Sequence, residues 1–236
     1  MSAAIQDPDV RRGAFRWLRR ETLGNLILIA ILFGIVGRWD WWNGWAMSAI
    51  YIVWSVATGI LIMPRHPEML AERARPHPGT KKWDKTLLGL MGVFMLVEYI
   101  VACLDVRWGW SGPLPLGVQL AGLVVAILGY DVLLVWSMAV NAFFVATVRI
   151  QEERGQSVVS DGPYRFARHP GYTGTILFHL AAAPLLGSLW ALIPAVLASA
   201  VLVVRTQMED QTLQAELRGY AEYAARVRYR LVPGLW

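Results

Sequence analysis

Six apolar stretches, separated by short or basic connectors, constrain this chain more than any other feature. A spanning helix needs about 20 apolar residues to cross a hydrocarbon core of roughly 30 Å. Candidates lie at residues 23–36, 45–63, 87–104, 116–140, 174–186 and 189–204. The first and the last two are short. Gly187-Ser188, flanked by Pro184 and Pro194, lets the last pair form a helical hairpin that dips deep without each arm spanning fully. The expectation is an all-α, polytopic membrane bundle with five or six membrane segments and a cytoplasmic C-terminal amphipathic helix. It reads as a single domain: a basic arm over 1–22, four spans within 23–140, and a loop, hairpin and tail over 141–236. Composition agrees, with 56% hydrophobic and 17% charged residues, and it excludes a disordered chain. The 12 Trp suit the headgroup boundary, where one end of the indole is apolar and the other wet.

Charge placement orients the bundle, since Lys and Arg accumulate in cytoplasmic loops. Five lie in the N-terminal arm, six in 64–86, four in 141–173 and five from Arg205 onward, leaving only Arg38 and Arg107 elsewhere. Both termini and the two long polar connectors are therefore expected on the cytoplasmic side, and the Trp-rich short connectors outside. The net charge of +5 then reports topology and attraction to anionic lipid, not a nucleic-acid partner. The N-terminal arm lacks the short apolar region and cleavage site of a removable signal peptide. The lone Cys103 excludes an internal disulfide or a Cys-based zinc site. No internal repeat, GxGxxG turn or P-loop is present, so a nucleotide cofactor would have to be held another way.

The connector 141–174 is longer and richer in turn formers than a link between spans requires. Asp161-Gly162-Pro163 and His169-Pro170-Gly171 form two rigid bends. They bracket Tyr164, Arg165 and Arg168, placing an imidazole, phenols and guanidiniums at the membrane surface for an anionic or zwitterionic ligand. The plainer alternative is a topogenic loop whose arginines meet lipid phosphates. In the tail, Leu213, Leu217, Tyr220, Ala224 and Val227 recur at helical spacing. Glu209 shares that stripe and is expected to face inward, with Asp210 one step round the helix.

These residues in this order, Gly162-Pro163-Tyr164-Arg165, Arg168-His169-Pro170-Gly171-Tyr172-Thr173-Gly174, Glu209-Asp210, Gly219-Tyr220 with Tyr223, and 227–236, resemble the C-terminal signature of the isoprenylcysteine carboxyl methyltransferase and phospholipid methyltransferase superfamily. The resemblance covers roughly 141–236 and is only architectural before that. It implies an integral membrane methyltransferase that binds S-adenosylmethionine at the cytoplasmic face. By the family's pattern, Gln151, Gly162, Tyr164, His169, Pro170, Tyr172, Gly174, Glu209 and Asp210 would hold the cofactor. Arg168, Glu209 and Arg226 would serve catalysis. Where the family has a Glu-Glu pair this chain has Glu209-Asp210, so the second, shorter acid must be re-aimed. The phenols could also stack near a sulfonium.

Methyl transfer from a sulfonium asks mainly for alignment. A carboxylate acceptor needs only a cation to hold it, and Arg226, Arg228 and Arg230 are near enough in sequence. An amine or a thiol would first have to lose a proton. A prenylcysteine-like carboxylate, a phospholipid amine and a small thiol therefore stand as alternative acceptors, with Asn141, Tyr220, Tyr223 and Arg230 as candidate substrate contacts. Glu98 and Asp131 both sit about 15 Å deep in their spans. Mid-membrane acids read as functional by default, so each is expected either to hydrogen-bond a neighbour such as Tyr99, Tyr130 or Asn141 or to face a substrate headgroup. His66 and His77 read as loop residues and His179 as a packing histidine; no metal site is expected. Two readings from other classes remain, an NADPH-dependent membrane reductase and a non-catalytic transporter.

Overall fold

Each long helix begins and ends where local chemistry dictates. The structure, a computed structural model, describes residues 7–74 and 79–236, so His77 lies outside the described residues; within them all regular structure is helical. Helix α1 (Pro8–Val36) starts on the N-cap Asp7, which accepts from the Asp9 backbone N–H at 2.7 Å, with Pro8 in the first turn. It stops where Gly37 takes φ 77°. The basic arm is thus largely the first turns of the same helix. Four segments are long and apolar enough to cross a membrane: α2 (Trp42–Leu61), α4 (Lys82–Trp108), Leu116–Val140 and α8 (Leu192–Glu216). With α1 and the 17-residue α7 (Pro170–Leu186), they form the polytopic bundle that the apolar stretches predict. α7 and α8 turn back on each other through Gly187, as the expected hairpin.

Leu116–Val140 is not uniform. α5 (Leu116–Ala126) passes into a π-helix (Ile127–Leu134) and then α6 (Val135–Val140). The wide turn coincides with a crossing so close that a Cβ on Gly129 would lie 2.5 Å from the Gly174 carbonyl oxygen, and one on Gly174 2.4 Å from that of Gly129. Gly174, expected at the cofactor, is instead the small residue that lets α7 touch this segment.

The tail also departs from expectation. α8 continues unbroken past residue 204, because the run through Glu216 contains neither Gly nor Pro. The apolar stripe of the expected separate tail helix is shared between the end of α8 and the seven-residue α9 (Tyr220–Arg226), which begins after Gly219 at φ 83°. Glu209 and Asp210 therefore ride on the membrane helix itself.

The charged segments gather at one end. Gly13 of α1 packs on Ala71 of α3 (Pro67–Arg73), whose N-cap is His66. Arg149 pairs with Glu72 at 2.9 Å, and Asp84 accepts from the Val148 backbone at 2.7 Å and from Arg205 at 2.7 Å. At the opposite end the buried Asp105 accepts from the Ser111 backbone at 2.7 Å and from the Ser188 hydroxyl at 2.5 Å, holding the hairpin tip to α4.

The mid-membrane acids are resolved differently from each other. Glu98 is fully buried and meets His179 Nδ1 at 2.8 Å, so its partner is neither Tyr99, Tyr130 nor Asn141, and His179 does more than pack. The partner was hidden because it lies 81 residues away in sequence. Tyr99 instead hydrogen-bonds Tyr51 at 2.6 Å. Asp131 rides on the π-helix, half-buried, with one oxygen unpartnered.

Candidate active site

The polar loop and the tail close on each other around two buried acid–arginine pairs. In the first, Asp210 is fully buried and holds Arg168 through both carboxylate oxygens at 2.7 and 2.9 Å. The same carboxylate accepts from Arg230 Nε at 2.9 Å, Gln214 at 2.8 Å and the Tyr220 hydroxyl at 3.1 Å, with His169 Nε2 at 3.5 Å. Arg168 donates through Nη1 to the Val227 and Arg228 carbonyls at 2.7 and 2.9 Å. Burial works against the Arg168 charge, but the Asp210 carboxylate outweighs it and lifts the guanidinium above its ordinary range. Backbone bonds from Arg168 to Tyr229 and from His169 to Arg230 complete the seam between loop and tail.

In the second pair, Arg205 is anchored by Asp84 and by the Ala146 carbonyl at 2.9 Å, and it also bonds the Tyr172 hydroxyl. Its guanidinium lies 5.1 Å from the Tyr172 ring centroid. Tyr172 in turn donates to Glu209 at 2.5 Å and lies parallel to His169, with centroids 5.6 Å apart. Glu209 is thus aimed by a phenol that an arginine holds in place.

Between these pairs lies a cleft that encloses about 790 Å³ when the open space at its mouth is included. Of the residues that the sequence singles out, Asn141, Gln151, Tyr164, Arg168, His169, Tyr172, Glu209, Tyr220 and Tyr223 line it. Asn141 donates to the Tyr164 hydroxyl at 3.1 Å, and Tyr223 donates to the Tyr164 carbonyl at 2.7 Å. Gln151 is fully buried and ties the loop together through the Phe143 carbonyl at 2.9 Å and through Arg154.

Others do not reach it. Asp210 lies behind the lining, committed to Arg168 and Arg230, and so holds the wall in place. Arg226 is exposed on α9, because one helical step separates it from the inward face that carries Tyr220 and Tyr223. Arg230 is spent on Asp210 and stacks on Trp236 at 5.0 Å. Gly162 takes φ 55° to form its bend, where a Cβ would lie 3.1 Å from Trp136, and Pro170 starts α7; neither lines the cavity. Glu98 and Asp131 are outside the lining as well.

Arg205, Phe143, Phe144, Thr147 and Arg149 line the cavity without having been singled out. In the sequence Arg205 reads only as a topogenic charge, and its partner Asp84 lies in a basic segment that gives no sign of it. Among the described residues no group of three His, Cys, Asp or Glu side chains is placed to hold a metal ion.

The lining suits a compact cationic ligand. Glu209 offers a carboxylate, four phenols offer aromatic faces that bind cations, and the buried Thr147 hydroxyl in the wall has no partner of its own.

Residues 121–215 match the model of the Isoprenylcysteine carboxyl methyltransferase (ICMT) family. Among solved structures, the eukaryotic intramembrane Ras methyltransferase ICMT without a monobody aligns with a TM-score of 0.54 and 16% identity, over 91% of this chain and 74% of that one. This shows a shared fold. No curated protein matches the chain significantly.

Proposed function

We propose that the chain is a membrane methyltransferase of the isoprenylcysteine carboxyl methyltransferase type, whose family model matches residues 121–215, and that it takes its methyl group from S-adenosylmethionine and delivers it to the carboxylate of a lipophilic, isoprenylcysteine-like acceptor. The observation that carries the reading is the cavity itself, where the Glu209 carboxylate and the rings of Tyr164, Tyr172, Tyr220 and Tyr223 converge. When bound, the cofactor would supply a methyl already activated on a sulfonium, so a carboxylate acceptor would need no base. The chain therefore contributes placement and exclusion of water. Glu209, oriented by Tyr172 and Arg205, receives the amino or ribose groups, and His169 with Tyr172 forms one wall beside them. The phenols would offer their faces to a sulfonium. Arg168 and Asp210 keep loop and tail closed over the cavity. The positive-inside distribution supports a cytoplasmic position for the site and both termini.

A direct test heats the detergent-purified protein with S-adenosylmethionine, S-adenosylhomocysteine or NADPH, since a ligand held by the native state alone raises the midpoint with concentration. Stabilisation by the adenosyl compounds, lost in Glu209→Ala and His169→Ala, is expected. A shift with NADPH alone would replace the reading by a reductase. Assays with carboxylate, amine and thiol acceptors then separate the three acceptor classes.

A further inference from the structure

The cavity contains no free cation for an acceptor carboxylate. Its three arginines are each bound to an acid: Arg149 to Glu72, Arg168 to Asp210 and Arg205 to Asp84. The tail arginines expected from sequence do not substitute, because Arg226 and Arg228 are exposed and Arg230 is held by Asp210.

Arg73, the last residue of α3, is different. Among the described residues no carboxylate lies within salt-bridge distance of it, and its buried Nε has no hydrogen-bond partner. Its one side-chain bond is a long one, 3.4 Å, to the Phe144 carbonyl. Glu21 and Arg20 act on it at a distance but are bonded to each other at 3.0 Å. Burial, the largest influence, pushes the guanidinium below its ordinary range. An unpaired cation held out of water is costly and gains most from an incoming anion.

Its position fits that use. The guanidinium lies 5.7 Å from the Phe144 ring centroid, and Phe144 is part of the cavity lining. The ring also abuts the His169–Gly171 bend so closely that a Cβ on Gly171 would lie 2.7 Å from it. Phe144 packs as well on the apolar cluster of Trp17, Trp54, Met69 and Leu70. One ring therefore adjoins the cofactor cavity, the unpaired guanidinium and the buried apolar core.

We infer that Arg73 receives the carboxylate of the lipophilic acceptor and sets the preference for that group, with Phe144 as the partition between acceptor and cofactor. This rests on the carboxylate reading above. The test compares N-acetyl-S-farnesylcysteine with its carboxamide in wild type, Arg73→Met and Arg73→Lys, following turnover, competition binding and S-adenosylhomocysteine affinity. In wild type the carboxylate is favoured at least about tenfold. In Arg73→Met the KM for the carboxylate rises at least about tenfold, the carboxamide affinity is unchanged and S-adenosylhomocysteine affinity stays within about twofold. Arg73→Lys, which keeps charge but loses the planar fork, falls between. Unchanged preference for the carboxylate in Arg73→Met overturns the inference; if that variant no longer binds S-adenosylhomocysteine, unchanged preference in Arg73→Gln, which also removes the charge, overturns it equally. Wild type that methylates only amines or thiols refutes the carboxylate reading itself, and the role of Arg73 with it.

Discussion

Replacing Asp210 by Asn tests whether the loop and tail are closed by a charge or only by shape. The substitution is nearly isosteric, so packing is preserved while the negative charge disappears. It leaves Arg168, whose side chain is 5% exposed, with no counter-ion, and it weakens the hold on the half-buried Arg230. Removing one partner of a buried ion pair costs about 3–5 kcal/mol, because the remaining charge stays desolvated. The lower end applies here, since Arg168 keeps the Val227 and Arg228 carbonyls. For a chain of this size each kcal/mol moves the midpoint by about 2–4 °C, so the expected loss is at least about 6 °C. S-adenosylhomocysteine affinity should fall too, because Arg168, His169 and Tyr220 line the cavity and all touch Asp210. Differential scanning fluorimetry and titration calorimetry in one detergent read both effects. The double variant Arg168→Met with Asp210→Asn should be more stable than Asp210→Asn alone, because the orphaned charge is gone. A single variant within about 1 °C of wild type would refute the reasoning.

Other perturbations probe the remaining contacts. Gly174→Ala, whose Cβ would lie 2.4 Å from the Gly129 carbonyl oxygen, should destabilise by about 1–3 kcal/mol in denaturation assays. Gly59→Ala, with nothing within 4 Å, should not destabilise. Tyr172→Phe removes the bonds to Glu209 and Arg205 and should weaken S-adenosylhomocysteine about fivefold or more by calorimetry, with little change in melting. Burial raises the phenols of Tyr164, Tyr220 and Tyr223 above the ordinary value of 10.0. Their native states therefore retain protons that the unfolded chain loses above about pH 10, so stability contributed by these groups is complete below that pH and declines above it. A Tyr223→Phe variant should lose less stability between pH 9 and 11 than wild type. Glu98→Gln should lower the melting midpoint because the carboxylate that meets buried His179 Nδ1 is lost, yet leave the choice among acceptors unchanged; a switch in acceptor preference would return Glu98 to the substrate site.

Much of the bundle is legible because hydropathy and charge act over whole segments, and those averages locate the helices and the end where polar chemistry collects. The loop motif likewise points to the cavity, since Tyr164, His169 and Tyr172 act within a few residues of the bends that aim them. What escapes local reading is pairing across distance. The bonds of Asp84 to Arg205 and Glu98 to His179 span 121 and 81 residues. Neighbouring positions can also have opposite duties: Glu209 faces the cavity while Asp210, 100° round the helix, turns into protein. Arg226 fails for the same reason, its family-like position on the tail not being its direction in space. In sequence Gly174 reads as part of a ligand loop, and only its approach to Gly129 reveals a helix contact.

The unbroken course of α8 has a mechanical consequence. Glu209 stands 17 residues, or about 26 Å, along one rod from Leu192. The rod's far end is fixed near the hairpin tip by Ser188 and Asp105. A tilt of only about 5° about that pivot displaces the carboxylate by about 2 Å, comparable to breaking a hydrogen bond. Because spanning helices tilt to match the hydrocarbon around them, bilayer thickness is in effect an input to the position of Glu209, and the lipid in which ligand affinity is measured is part of the reagent list.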